Sequence, residues 1–202
     1  MKNKFMFLVL FSFALVACEN MMLPPMNGNG NPLLQKMNKM SNEMDKLMMT
    51  KDPDHDFAVM MKTHHKGAID MANYEMSHGN DAKILGMAKM MKDMQTMEIA
   101  KLDSFMKAHM MMPDSINGMA FMEASHMAMH KMDNLVKKQY LNKDSDHDFA
   151  VLMIHHHQSA IEMAEAEIKY GKVVEMKEMA TKMKEDQLKE IEELKAWVAE
   201  NY

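Results

Sequence analysis

From Leu33 onward apolar residues recur every three or four positions, and no run alternates apolar with polar residues as a half-buried strand would. The periodicity is interrupted at "TKDPD" (50–54), "HGND" (78–81), "MPDSING" (112–118), "NKDSD" (142–146) and "YGK" (170–172). These clusters of Gly, Pro, Asn and Asp divide the chain into six predicted helices, at about 33–49, 55–78, 81–111, 119–141, 147–170 and 172–200. Asp54 and Asp146 suit helix N-caps, and Gly79 and Gly171 stand where a helix end favours a left-handed residue.

The six helices are two copies of a three-helix unit at a constant offset of 92 residues. Asp54 maps onto Asp146, His64 onto His156, Gly79 onto Gly171, Leu102 onto Leu194 and Phe105 onto Trp197, all without a gap. The predicted fold is therefore all-α, an antiparallel helical bundle. The first repeat covers 33–112 and the second 119–202, joined by a linker at 113–118. The four long helices are expected at its centre, although two linked smaller bundles fit the pattern equally.

Comparing the copies separates the faces of the repeated helix. One stripe is Phe57, Met61, His64, Ala68, Met71 and Glu75, and its counterpart is Phe149, Met153, His156, Ala160, Met163 and Glu167. Every residue type is retained, and an adjacent stripe pairs His65 and Ile69 with His157 and Ile161. The opposite face drifts, from Thr63 to His155, Lys66 to Gln158 and Asn73 to Glu165, and is expected to face solvent. Imidazoles and carboxylates thus lie on the packed side, where a polar group needs a partner. Glu75, Glu98 or Gln95 would satisfy a core histidine; a metal ion would serve as well.

Composition then bears on which. Methionine occurs 33 times in 202 residues, while arginine is absent and the net charge is −5. An acidic chain of this kind is no nucleic-acid binder. Met87, Met91, Met179 and Met183 fit ordinary core packing, for which flexible thioethers serve. Met90, Met94 and Met97 differ, because their counterparts Lys182, Asp186 and Lys189 mark a solvated face. That thioether stripe continues into His109, Met110, Met111 and Met112. A further cluster on the fourth helix comprises Met122, His126, Met129 and His130. Thioether sulfur is soft and unprotonated, so it selects Cu(I) and Ag(I), whereas imidazole also accepts Cu(II). Several weak sites of this kind suit a buffer or carrier.

The single cysteine belongs to the N-terminus. Residues 1–17 read as a signal peptide, with Lys2 and Lys4 before a short apolar run, and "LVAC" resembles a bacterial lipobox that would leave Cys18 lipid-modified. Residues 18–32 then form a flexible tether rich in Pro, Gly and Asn. This predicts a lipoprotein of the cell envelope, at the outer membrane facing the periplasm or the cell surface, with no thiolate left to serve as ligand.

The repeated motif reads F-x-x-x-M-x-x-H-H-x-x-A-I-x-M-A, followed by A-x-x-M, Q and E-I. It comprises Phe57, Met61, His64, His65, Ala68, Ile69, Met71 and Ala72, then Ala88, Met91, Gln95, Glu98 and Ile99, and each residue recurs 92 positions later. It resembles a ferritin-like bacterial family of unknown function, whose methionine-rich two-copy members look like CopM-type copper-resistance proteins. The resemblance implies a helical bundle that binds Cu(I) or Ag(I) without catalysis, and that sequesters the ion or passes it to an efflux or carrier protein. Met61, His64, His65 and Met71, with Met153, His156, His157 and Met163, are the expected inner ligands. Two other classes stay open. A di-metal carboxylate protein would use the E-x-x-H strings Glu75/His78 and Glu123/His126. An interaction lipoprotein would use the methionines for docking or as an oxidation sink.

Overall fold

A computed structural model describes residues 30–202. Cys18 and the signal and tether segments before Gly30 lie outside the described residues. The chain is all-helical, with α1 (Pro32–Met44), α2 (Pro53–His78), α3 (Ala82–Ala108), α4 (Ser115–Val136), α5 (Ser145–Tyr170) and α6 (Val174–Asn201). Among the described residues no helix is long and apolar enough to cross a membrane.

The centre is not built from the four long helices. Helices α2 and α5 cross there, α1 and α4 pack beside them, and α3 and α6 flank α2 and α5 respectively. The short helices are central because they bring the apolar residues Leu33, Met37, Met40 and Met44 on α1, and Phe121, Ala128, Met129 and Met132 on α4. Ser41 of α1 donates to both carboxylate oxygens of Asp133 on α4 at 3.0 Å, which closes the four-helix core. The α2–α5 packing merges both repeats into one bundle, so they are not two separate ones.

Each repeat carries a D-x-D-x-D string whose three carboxylates do different work. Asp52 and Asp144 are the N-caps, accepting from His55 N at 3.3 Å and His147 N at 3.2 Å. Asp56 and Asp148 fold back onto the preceding loop, accepting from the amides of Thr50 and Lys51, and of Asn142 and Lys143. These bonds hold Lys51 at φ 69° and Lys143 at φ 71°, so these lysines, and not Gly79 or Gly171, take the left-handed backbone. Asp54 and Asp146, expected as caps, instead reach across to the other repeat. Asp54 accepts from Lys172 N and Val173 N (3.0 and 2.8 Å), and Asp146 from Asn80 N and Asp81 N (both 3.0 Å). The start of each central helix therefore meets the end of the other, and α2 and α5 run antiparallel about a pseudo-two-fold axis.

Gly79 has φ −74° and Gly171 φ −64°, ordinary values for any residue. They are glycine because a Cβ would fall 2.0 Å from Oε1 of Glu75 and of Glu167 respectively. Helix α4 starts earlier than its sequence pattern suggests, since Asp114 caps it through the amides of Ile116 and Asn117. Gly118 then lies inside the first turns, where a Cβ would meet Lys51 O at 2.3 Å. The face expected to be solvated is so for Lys66, Asn73 and Glu165, but His155 is half-buried and bonds Gln139 at 2.9 Å.

Candidate metal centre

At the crossing of α2 and α5 the rings of His64 and His156 lie 3.7 Å apart, centroid to centroid. They are equivalent residues, so the pseudo-two-fold axis passes between them. His65 and His157 flank them, and all four imidazoles are fully buried. Met61, Met71, Met153 and Met163 are fully buried in the same two helices.

The hydrogen bonds fix the two central tautomers. Ser159 Oγ lies 2.7 Å from His156 O, a carbonyl that only accepts, so the hydroxyl must accept from His64 Nε2 at 2.8 Å. His156 Nε2 likewise donates to His64 O at 3.1 Å. Each ring therefore keeps a bare lone pair on Nδ1, and neither Nδ1 has a partner. His65 and His157 place Nε2 2.8 Å from Glu98 and Glu190, an ion-pair distance without hydrogen-bond geometry, so neither nitrogen of either ring has a hydrogen-bond partner. Glu98 was among the partners expected from sequence. Burial, reinforced by the facing imidazoles, holds His64 and His156 well below the ordinary histidine range, so both are neutral.

These donors fit a soft ion. Unpartnered imidazole nitrogen in a methionine-lined interior is the N/S chemistry that Cu(I) and Ag(I) accept at low coordination number. Among the described residues no three His, Asp or Glu side chains gather closely enough to hold one ion. The E-x-x-H strings do not build a carboxylate centre: Glu75 is buried against Ser145, while His78 is exposed and stacks on Tyr74.

The other expected ligands are scattered. Met90 and Met97 on α3 are 41% and 63% exposed, and Met94 is half-buried. Their counterparts form an ion network in which Asp186 pairs with Lys182 and Lys189. Met110, Met111 and Met112 are exposed in the α3–α4 loop. His109 is not free beside them: its side chain is buried, donates from Nε2 to Asp52 at 2.7 Å and stacks on Phe105. Met112 N also donates to Asp52, at 2.6 Å. Burial opposes ionisation of Asp52, but the bonds from Met112, His109 and His55 outweigh it and hold the carboxyl below its usual range. The α4 cluster splits. His126 and His130 are exposed and Met122 half-buried, whereas Met129 turns into the core with Met132. Burial sorts the cluster in this way because α4 packs on both α2 and α5.

Two buried carboxyl pairs end the central crossing: Glu75 with Asp146, and Glu167 with Asp54. Burial, a shared hydrogen bond with Asp146 and its charge push Glu75 up to about 8. Burial, the Asp54 charge and a hydrogen bond to Asp54 push Glu167 up to about 9. Both glutamates are therefore protonated donors at neutral pH. Glu75 and Glu167 match between the repeats, but nothing in that match reveals Asp146 and Asp54 as their partners.

The chain matches the family described as Domain of unknown function (DUF305) over residues 24–106 and again over 54–198, and it belongs to that family. The overlapping matches follow the repeat. No curated protein and no solved structure matches the chain.

Proposed function

We propose that this protein binds Cu(I), and Ag(I) as its chemical analogue, as a CopM-type copper-tolerance protein of the bacterial envelope. It sequesters the ion or hands it to an efflux or carrier protein, without turnover, while lipid-modified Cys18 anchors it at the outer membrane. The observation that carries this reading is the unpartnered Nδ1 of His64 and His156 inside a thioether-rich core. A buried acceptor left unpaired costs about 1–3 kcal/mol. Four such atoms, matched in both repeats, are a burden that an apolar core would avoid and that a bound ion relieves. Met90, Met94 and Met97, the loop Met110–Met112, and His126 with His130 supply outer, exchangeable sites, the imidazoles among them open to Cu(II) as well. Titration of the purified protein with Cu(I) against a chromophoric chelator tests this. Binding of several equivalents in competition with the chelator is expected, and adventitious affinity alone would refute it.

A further inference from the structure

All exposed methionines of the described residues fall between Met48 and Met127, and none lies on α5 or α6. Their matched positions in the other repeat carry other side chains. Lys182 and Lys189 stand for Met90 and Met97, Gln35 for Met127, Tyr140 for Met48 and Tyr202 for Met110, and all five are exposed. The fold therefore needs no thioether at these places. In the α3–α4 loop the exposure is built in. Asp52, itself buried, accepts from His109 Nε2 and from Met112 N. Asp114 N donates to Lys51 O at 2.7 Å, and the Asp114 carboxylate pairs with Lys172 Nζ at 2.7 Å. The backbone is fastened on both sides of Met110 and Met111, so their thioethers stay outside, Met110 at 82% exposure.

We propose that these outer thioethers are a reversible oxidation site, each taking one oxygen atom from a peroxide, and that the resulting sulfoxides release soft metal from the outer sites. A sulfur lone pair attacks one peroxide oxygen; the S–O bond forms as the O–O bond breaks, and the second oxygen leaves as water. Sulfur loses two electrons and the peroxide gains them. A methionine sulfoxide reductase reverses the step with two electrons from a dithiol. A sulfoxide is polar, which suits positions where the other repeat carries lysine or glutamine. At the fully buried Met61, Met71, Met153 or Met163 it would place an unpartnered oxygen in the core. The sulfoxide also presents a hard oxygen where a soft sulfur stood, and Cu(I) and Ag(I) favour the latter. Metal release rests on the soft-metal reading above; oxygen uptake does not.

Hydrogen peroxide added to the metal-free protein, followed by peptide mass mapping, tests the inference. One oxygen atom is expected at each exposed methionine, Met110 and Met111 among the first, before Met61, Met71, Met153 or Met163 takes any. The thermal midpoint should not move. The number of Cu(I) ions bound in competition with a chelator should fall after oxidation and recover after treatment with methionine sulfoxide reductase and dithiothreitol. Oxygen uptake at equal rates in core and exposed methionines overturns the site, as does loss of the folding transition once the outer sulfoxides form. A Cu(I) count unaltered by complete outer oxidation overturns its hold over the metal. If no Cu(I) binds before oxidation, the soft-metal reading and metal release fall together, while the mass map still decides oxygen uptake.

Discussion

Glu167→Gln isolates the cost of keeping a buried carboxyl protonated beside Asp54. Glu167 titrates at about 9 in the folded chain and near its ordinary 4.5 when unfolded. The folded state therefore holds a proton that the unfolded state has released, and this contribution to stability is complete below 4.5 and lost as pH rises through 9. One proton of difference is worth about 1.4 kcal/mol per pH unit. Between pH 6.5 and 8 Glu167 alone should thus remove about 2 kcal/mol. Glutamine keeps a donor toward Asp54 and has no proton to lose. His64 and His156 act in the opposite direction, but only below 6.5, where the unfolded imidazoles protonate and the folded ones do not. The chosen window excludes them. Urea unfolding followed by circular dichroism at pH 6.5 and 8 should show the variant gaining about 2 kcal/mol on the parent across the interval. Parallel pH profiles for the two proteins would refute the shared-proton account.

Other consequences are as specific. Gly79→Ala should destabilise by about 1–3 kcal/mol through its clash with Glu75, and far less in a Glu75→Ala background, as a double-mutant cycle would measure. Asp52→Ala removes the acceptor of His109 and Met112 N, so amide exchange at Met112 should accelerate and stability fall by about 1–3 kcal/mol. Replacing Met90, Met94 and Met97 by leucine should lower the number of bound Cu(I) ions and leave the thermal midpoint unchanged; unaltered stoichiometry would make that stripe a docking surface. Because His64 and His156 titrate well below 6.5, the inner site should keep its ion as pH drops through 6.5, measured by chelator competition at pH 7.5 and 5.5.

The periodicity of the chain and its 92-residue repeat made the helices, their order and the packed face of α2 and α5 legible, because burial imposes the same stripe on both copies. The D-x-D-x-D strings were not resolved, since any of three aspartates can cap a helix and only the antiparallel crossing shows Asp54 and Asp146 serving the other repeat. Gly79 and Gly171 depart from expectation for a related reason: a glycine demanded by a neighbouring carboxylate looks, in sequence, like one demanded by backbone twist. Exposed methionines on α3 were visible through their charged counterparts in α6. His109 and Met129 were not separable from their neighbours, because stacking on Phe105 and the direction of α4 depend on packing that a single helix pattern does not encode.

Whether imidazole and thioether together hold a soft ion is tested by X-ray absorption at the copper edge of the protein loaded with one equivalent of Cu(I). Monovalent copper with both nitrogen and sulfur scatterers is expected, with loss of the nitrogen shell when His64 and His156 are both replaced by leucine. A first equivalent bound by oxygen and nitrogen without sulfur, or a spectrum unchanged by the double replacement, would contradict it.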